Sequence, residues 1–159
     1  LHFSKCQSLF PIRYRGLVVN RGKHIAHNLA IREARGEFFL VADSDDRITP
    51  NALERLDHHW SSLPDNSGYC GVAGLCADVN GVVIGDCYPP GAEHSTLRER
   101  KYVYKIKGEK WGSMRTDIVR RYPFPELKGF IPEGVVWLDI AKTYKDYCVN
   151  EVFRIYDNG

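Results

Sequence analysis

The chain has 159 residues, enough for one domain with its own core, and its 43% hydrophobic and 26% charged content excludes a disordered or low-complexity scaffold. A formal net charge of +2 is too balanced to signal nucleic acid as a partner, and no apolar run approaches the roughly 18 residues of a membrane-spanning helix. Five cysteines, an odd number with no C-x-x-C pair, argue against a zinc ribbon or a disulfide framework and predict small reduced core thiols in a cytoplasmic protein.

Residues 1–159 are read as a single domain. The chain opens on Leu-His-Phe-Ser-Lys without an initiator methionine and ends on Tyr-Asp-Asn-Gly just after a strand pattern, so a fragment is expected. Residues 12–19 alternate loosely and predict a short strand, with a turn at Asn20-Arg21-Gly22. Over 23–34, Ile25, Leu29 and Ile31 recur near helical spacing, and Arg35-Gly36 stops the helix. Residues 37–42 form a continuous apolar run of strand length. Strand, helix and strand together predict a βαβ unit and a parallel sheet covered on both faces. Thr49-Pro50 reads as a helix start, with Leu53, Leu56 and Trp60 facing inward. Runs at 69–77 and 82–87 flank Asn80-Gly81, a hairpin signal. Residues 101–107 set Tyr102, Tyr104 and Ile106 against Lys101, Lys105 and Lys107, an alternation of strand type. A short helix at 116–121 ends at Pro123-Phe124-Pro125. A helix over 133–144 carries Val136, Trp137, Ile140 and Tyr144 as its inner stripe, and a last strand spans 147–155.

Asp43, Asp45 and Asp46 follow the 37–42 run at once. Parallel sheets place ligand sites at the carboxyl ends of their strands, and carboxylates crowded there repel one another. A hard divalent cation relieves that repulsion, and Mg²⁺ takes one or two carboxylates and completes its shell with water and phosphate oxygens. D-x-D after a buried strand therefore suggests a metal held between protein and diphosphate. The competing reading is a solvated turn before a helix whose dipole favours negative charge. An EF-hand fails, since Ile48 stands where Gly is needed and Arg47 where an oxygen ligand is needed. The pair His58-His59 has no partner at metal-ligand spacing and reads as helix surface.

The stretch N-R-G-K-H-I-A-H-N-L-A-I-R-E-A-R-G-E-F-F-L-V-A-D-S-D-D-R-I-T-P-N-A-L-E, residues 20–54, closely resembles the signature of family 2 glycosyltransferases of the GT-A fold, departing at Ala30 where Gly is usual. Further matches follow at K-I-K-G-E-K (105–110), R-T-D (115–117), Y-P-F-P-E (122–126) and P-E-G-V-V-W (132–137), similar to a bacterial subgroup that builds cell-surface polysaccharide. The resemblance implies a GT-A, Rossmann-like α/β domain with a mixed, mainly parallel sheet flanked by helices. Its first βαβ portion, the part that binds the nucleotide base, has no counterpart before about Ile12.

The resemblance implies an inverting transfer of a sugar from a nucleotide-sugar donor, UDP-linked by expectation, to a glycan or lipid-linked acceptor. Asp45 is the expected ligand of Mg²⁺ or Mn²⁺, Asp43 the contact to ribose or donor sugar, Asp46 a support for the site, and Lys23 a donor contact at a helix start. Glu133 is the expected general base, with Gly134 where the family often has a second acid; otherwise Glu133 is a first-turn acid favouring the helix dipole. Asn28 is expected to fix the loop before the aspartates, Trp137 to be core or a sugar platform, and Lys101, Lys105, Lys107 and Lys110 to be a wet face or a phosphate contact. A missing first portion leaves a sheet edge bare, which admits a homodimer through that edge, and a lipid-linked acceptor admits peripheral association with the inner membrane face. The alternative function is a non-catalytic fragment that keeps the fold as a binding or assembly module.

Overall fold

The computed structural model describes residues 11–156. The elements in chain order are α1 (Lys23–Glu33), β1 (Phe38–Phe39), β2 (Asp46–Ile48), α2 (Ala52–Ser62), β3 (Tyr69–Asp78), β4 (His94–Ser95), α3 (Leu97–Tyr102), β5 (Lys110–Arg115), α4 (Thr116–Val119), α5 (Gly134–Ile140) and β6 (Lys145–Tyr156). The strands form one sheet in the order β1-β5-β3-β6-β2, with β4 added to β6.

The mixed α/β architecture expected from the sequence is present, but not its direction. Among the described strands only β3 and β6 pair parallel, while β1–β5, β3–β5, β2–β6 and β4–β6 are antiparallel. Residues 12–19 are exposed and form no strand. The apolar run at 37–42 gives only the two residues of β1, docked against Met114 and Arg115. The expected βαβ unit is therefore not formed by these segments. Beside β3 lies β5, a strand the sequence reading did not anticipate. Gly112 makes that pairing possible: a Cβ there would lie 1.9 Å from the Val72 carbonyl oxygen.

Side-chain packing explains where the helices sit. On α2, Ala52, Leu56 and Trp60 are buried against Val72, Cys76 and Phe153 of the sheet. The buried stripe runs through Ala52, Leu56 and Trp60, so Leu53 turns outward, 62% exposed, rather than inward as expected. Helices α1, α4 and α5 close around Ile31, Ile118, Val119, Phe124, Val136 and Ile140. Two pairs of hydrogen bonds hold α1 in that cluster. Asn28 clamps Phe124, its Nδ2 donating to the Phe124 carbonyl and its Oδ1 accepting the Phe124 N–H, both at 2.9 Å. Arg120 donates to the carbonyls of Ile31 and Ala34 at the helix end. Asn28 thus fixes the 124–126 segment and not the loop before the aspartates.

Other expectations are corrected locally. Residues 97–102 are helical, not the start of a strand, because Thr96 and Glu99 form a capping box in which each side chain accepts from the other's backbone N–H. The Asn80-Gly81 turn forms, with Asp78 N–H bonded to the Val82 carbonyl, yet its return arm makes only the single bridge Ala77–Val83. His59 is buried, and its Nε2 lies 2.9 Å from Glu151 Oε1. Cys70, Cys76 and Cys148 are buried free thiols, Cys87 is exposed, and Cys6 lies outside the described residues.

Candidate active site

The acidic turn is braced from two sides. Trp111 on β5 donates its Nε1–H to the Val41 carbonyl at 2.5 Å, fixing the backbone just before Asp43. Asp46 opens β2, which pairs with the end of β6. Its carboxylate is buried, lies 3.2 Å from Arg154 Nε, and accepts the Asp43 backbone N–H at 3.3 Å. The charge of Asp46 is therefore neutralised inside the protein and its oxygens splint the turn. Asp45 is exposed.

Asp43 faces a cleft of about 490 Å³ walled by β3, β5 and α5. Lys23, the first residue of α1, reaches across it. Its ammonium donates to Asp43 Oδ2 at 2.9 Å and lies 3.0 Å from Glu133 Oε1. Burial opposes the charge on Lys23, but the hydrogen bonds to Asp43 and Glu133 outweigh it and hold the ammonium's pKa above its ordinary value. Glu133 is the N-cap residue of α5, which is anchored by Val136 and Ile140 in the core. Lys23, Asp43 and Glu133, picked out separately in the sequence, thus meet at one ammonium; Asp46, bonded to the Asp43 backbone, and the exposed Asp45 are outside the cleft lining.

The N-terminus of α1 is left electropositive. Gly22 takes the N-cap position with φ 97° and has no side chain to accept from the first turn, which also holds no acidic residue. Beneath it His27 packs edge-on to Phe124 with its Nδ1 unpartnered, and burial lowers its pKa.

Three cleft residues escaped the sequence reading. Arg100 of α3 and Asp146 of β6 form a buried ion pair at 2.5 Å, and Cys70 donates its S–H to the same carboxylate. Burial, followed by the Asp146 charge, pushes the Cys70 thiol far up, so it stays protonated. Of the four lysines read as a basic face, only Lys110 lines the cleft; burial lowers its pKa. Trp137 also lines the cleft, half-buried, with its ring edge-on to Phe124 at 5.4 Å.

Among the described residues no three acidic, histidine or cysteine side chains converge on one point as a closed metal cage. The donor set still suits a hard divalent ion of the kind that takes one or two carboxylates and fills its shell with water and phosphate oxygens. Asp43 in the cleft and the exposed Asp45 beside it are such oxygen donors.

No curated protein matches the chain. Among solved structures, a crystal structure of S. aureus TarS (residues 1–349) superposes with a TM-score of 0.56 at 20% sequence identity. The match covers 89% of this chain and 42% of that one, so this chain spans less than half of the TarS structure it resembles, and the likeness concerns the fold. The model of the family "Glycosyl transferase family 2" matches residues 3–121. That match takes in the acidic turn, Lys23 and the cleft strand β5, and it runs over more than half of the chain, which therefore belongs to glycosyl transferase family 2.

Proposed function

We propose that the protein transfers a sugar from a nucleotide-sugar donor of the UDP type to a glycan or lipid-linked acceptor, with inversion at the anomeric carbon and with Glu133 as general base. The observation that carries this reading is the single ammonium of Lys23 shared by Asp43 and Glu133 at 2.9 and 3.0 Å. It brings a carboxylate of the D-x-D turn and the candidate base to the same end of one cleft.

In this reading the acceptor hydroxyl enters beside Glu133. Its oxygen attacks the anomeric carbon from the face opposite the diphosphate, while its proton passes to the Glu133 carboxylate. The bond from the anomeric carbon to the diphosphate oxygen breaks, and its electron pair leaves with the diphosphate. Lys23 and the uncapped first turn of α1 supply positive potential where that charge develops. Asp43 orients the ribose or donor sugar, and Asp46 keeps the turn rigid through Arg154. Asp45 would hold Mg²⁺ or Mn²⁺, which when bound would supply Lewis-acid stabilisation of the leaving diphosphate. The reading includes a cytoplasmic location at the inner membrane face; among the described residues no helix is long and apolar enough to cross a membrane.

Calorimetric titration with UDP and Mn²⁺ tests it. Saturable binding that needs the metal and is lost in Asp45→Ala is the expected outcome. The absence of heat at millimolar UDP overturns the proposal in favour of a non-catalytic binding or assembly module.

A further inference from the structure

The contact that unites the site also obstructs it. Glu133 Oε1 and Asp43 Oδ2 both engage the Lys23 ammonium, so two groups required by the proposed reaction are committed to one another's cation. We propose that Lys23 is a placeholder cation: it joins Asp43 to Glu133 in the free protein and passes to the diphosphate of an arriving donor, which releases Glu133 to receive the acceptor's proton. The inference rests on the reading of Glu133 as base and makes Lys23 the residue that positions it.

Three features of the structure carry it. The first is exposure. The Lys23 side chain is about half exposed, on a flexible stem, and both of its ion pairs join partly exposed groups of the kind that solvent weakens. The second is the strength of the competitor. A diphosphate carries more negative charge than either carboxylate and presents several oxygens to an ammonium with three N–H donors. It would also meet the first turn of α1, where neither a capping side chain nor an acidic residue competes for the N–H groups. Lys23 therefore needs to move only its tip, since its backbone already stands at the end of the helix that favours the anion.

The third feature separates this role from that of a strut. Helix α1 does not depend on Lys23 for its place. Asn28 holds Phe124 with two hydrogen bonds, His24 Nε2 lies 3.1 Å from the Leu127 carbonyl oxygen, and Ile31 is buried with Ile118 and Val136. The Lys23 bridge can open without loosening the wall of the cleft.

The test uses UDP with Mn²⁺ as the probe on the full chain. Isotope-edited NMR of lysine side chains, with the Lys23 signal assigned through Lys23→Arg, reads the ammonium directly. Its signal is expected to shift on addition of UDP and to lose its dependence on Glu133→Gln once UDP is saturating. Calorimetry reads the competition. Glu133→Gln weakens the acceptor that holds the ammonium back, so UDP should bind about tenfold more tightly, the scale of one charge-assisted hydrogen bond. That gain should vanish in a Lys23→Met background. Thermal melts confirm that each variant folds. An equal gain in both backgrounds, or a Lys23 signal unmoved at saturating UDP, overturns the placeholder role and leaves the donor reading standing. Failure of the wild-type chain and Glu133→Gln to bind UDP at all overturns the donor reading, and the placeholder role with it.

Discussion

Asp43, Lys23 and Glu133 derive their meaning from a meeting that no local pattern encodes. Each was legible separately: Asp43 as an acid at the end of an apolar run, Lys23 as a cation at a helix start, Glu133 through the P-E-G match. Their convergence on one ammonium is a tertiary fact. The brace behind them was not legible, because Arg154 reads as an ordinary polar position in the final strand and Trp111 as one more apolar residue. Only the pairing of β2 with β6 brings Arg154 to Asp46. At this scale the sharpest expectation concerns Glu133→Gln. Sugar transfer measured at saturating donor and acceptor should fall by about 10²- to 10⁴-fold, the range of a lost general base, while UDP binding persists. Turnover within a factor of a few of wild type would remove Glu133 from the chemistry.

Elements were legible where one helix face carried the signal. Helices α1, α2, α4 and α5 lie where periodicity and stop signals put them, with shifted ends. The misreading at 101–107 had a local cause. The Tyr/Lys alternation imitates a strand, while the stronger signal, Thr96-Leu97-Arg98-Glu99 as a capping box, starts a helix just before it. Strand β5 was missed because Lys-Trp-Gly-Ser-Met-Arg has a glycine at its centre, a residue that weakens strands unless another backbone approaches closely, as Val72 does here. One tie between elements has a pH signature. Arg55 and His59 of α2 both bond Glu151 of β6, and the Arg55 hydrogen bonds, with His59 assisting against burial, push the Glu151 carboxyl down to about 2 from 4.5. A carboxylate held lower in the folded than in the unfolded state stabilises the fold above its unfolded pKa and stops doing so as pH falls through its folded one. The difference in melting temperature between wild type and Glu151→Gln should therefore be full above pH about 5 and shrink progressively toward pH about 2. A difference that stays constant across that window would show that the carboxylate's charge does not fasten α2.

At the scale of the whole molecule, the sheet is organised around the parallel pair β3–β6, and the ion pair Arg100–Asp146 fastens α3 to it from the cleft side. Arg100 also reaches Cys148, and Asp146 also accepts from Cys70. Removing one partner strands a buried charge. Asp146→Ala should cost about 3–5 kcal/mol, a large share of the roughly 5–15 kcal/mol that holds a domain together, read as a lowered urea midpoint. A loss below about 1 kcal/mol would mean that water reaches Arg100 and that the cleft floor is not sealed. The layered α/β packing holds whichever way the strands run: α2 lies on the sheet over Val72 and Phe153, and α1, α4 and α5 close around Phe124.

The clamp of Asn28 on Phe124 has a consequence for how such a protein diversifies. The strap between α4 and α5 is tethered to α1 at Phe124 and again at the Leu127 carbonyl, and Glu133 is held independently by the burial of Val136 and Ile140. The few residues between these moorings, among them the outward-facing Phe130, form a bridge anchored at both ends. Changing its length costs little more than loop-closure entropy, about 0.6 kcal/mol per doubling, so what the strap meets outside can be rewritten while the Glu133 carboxylate keeps its address.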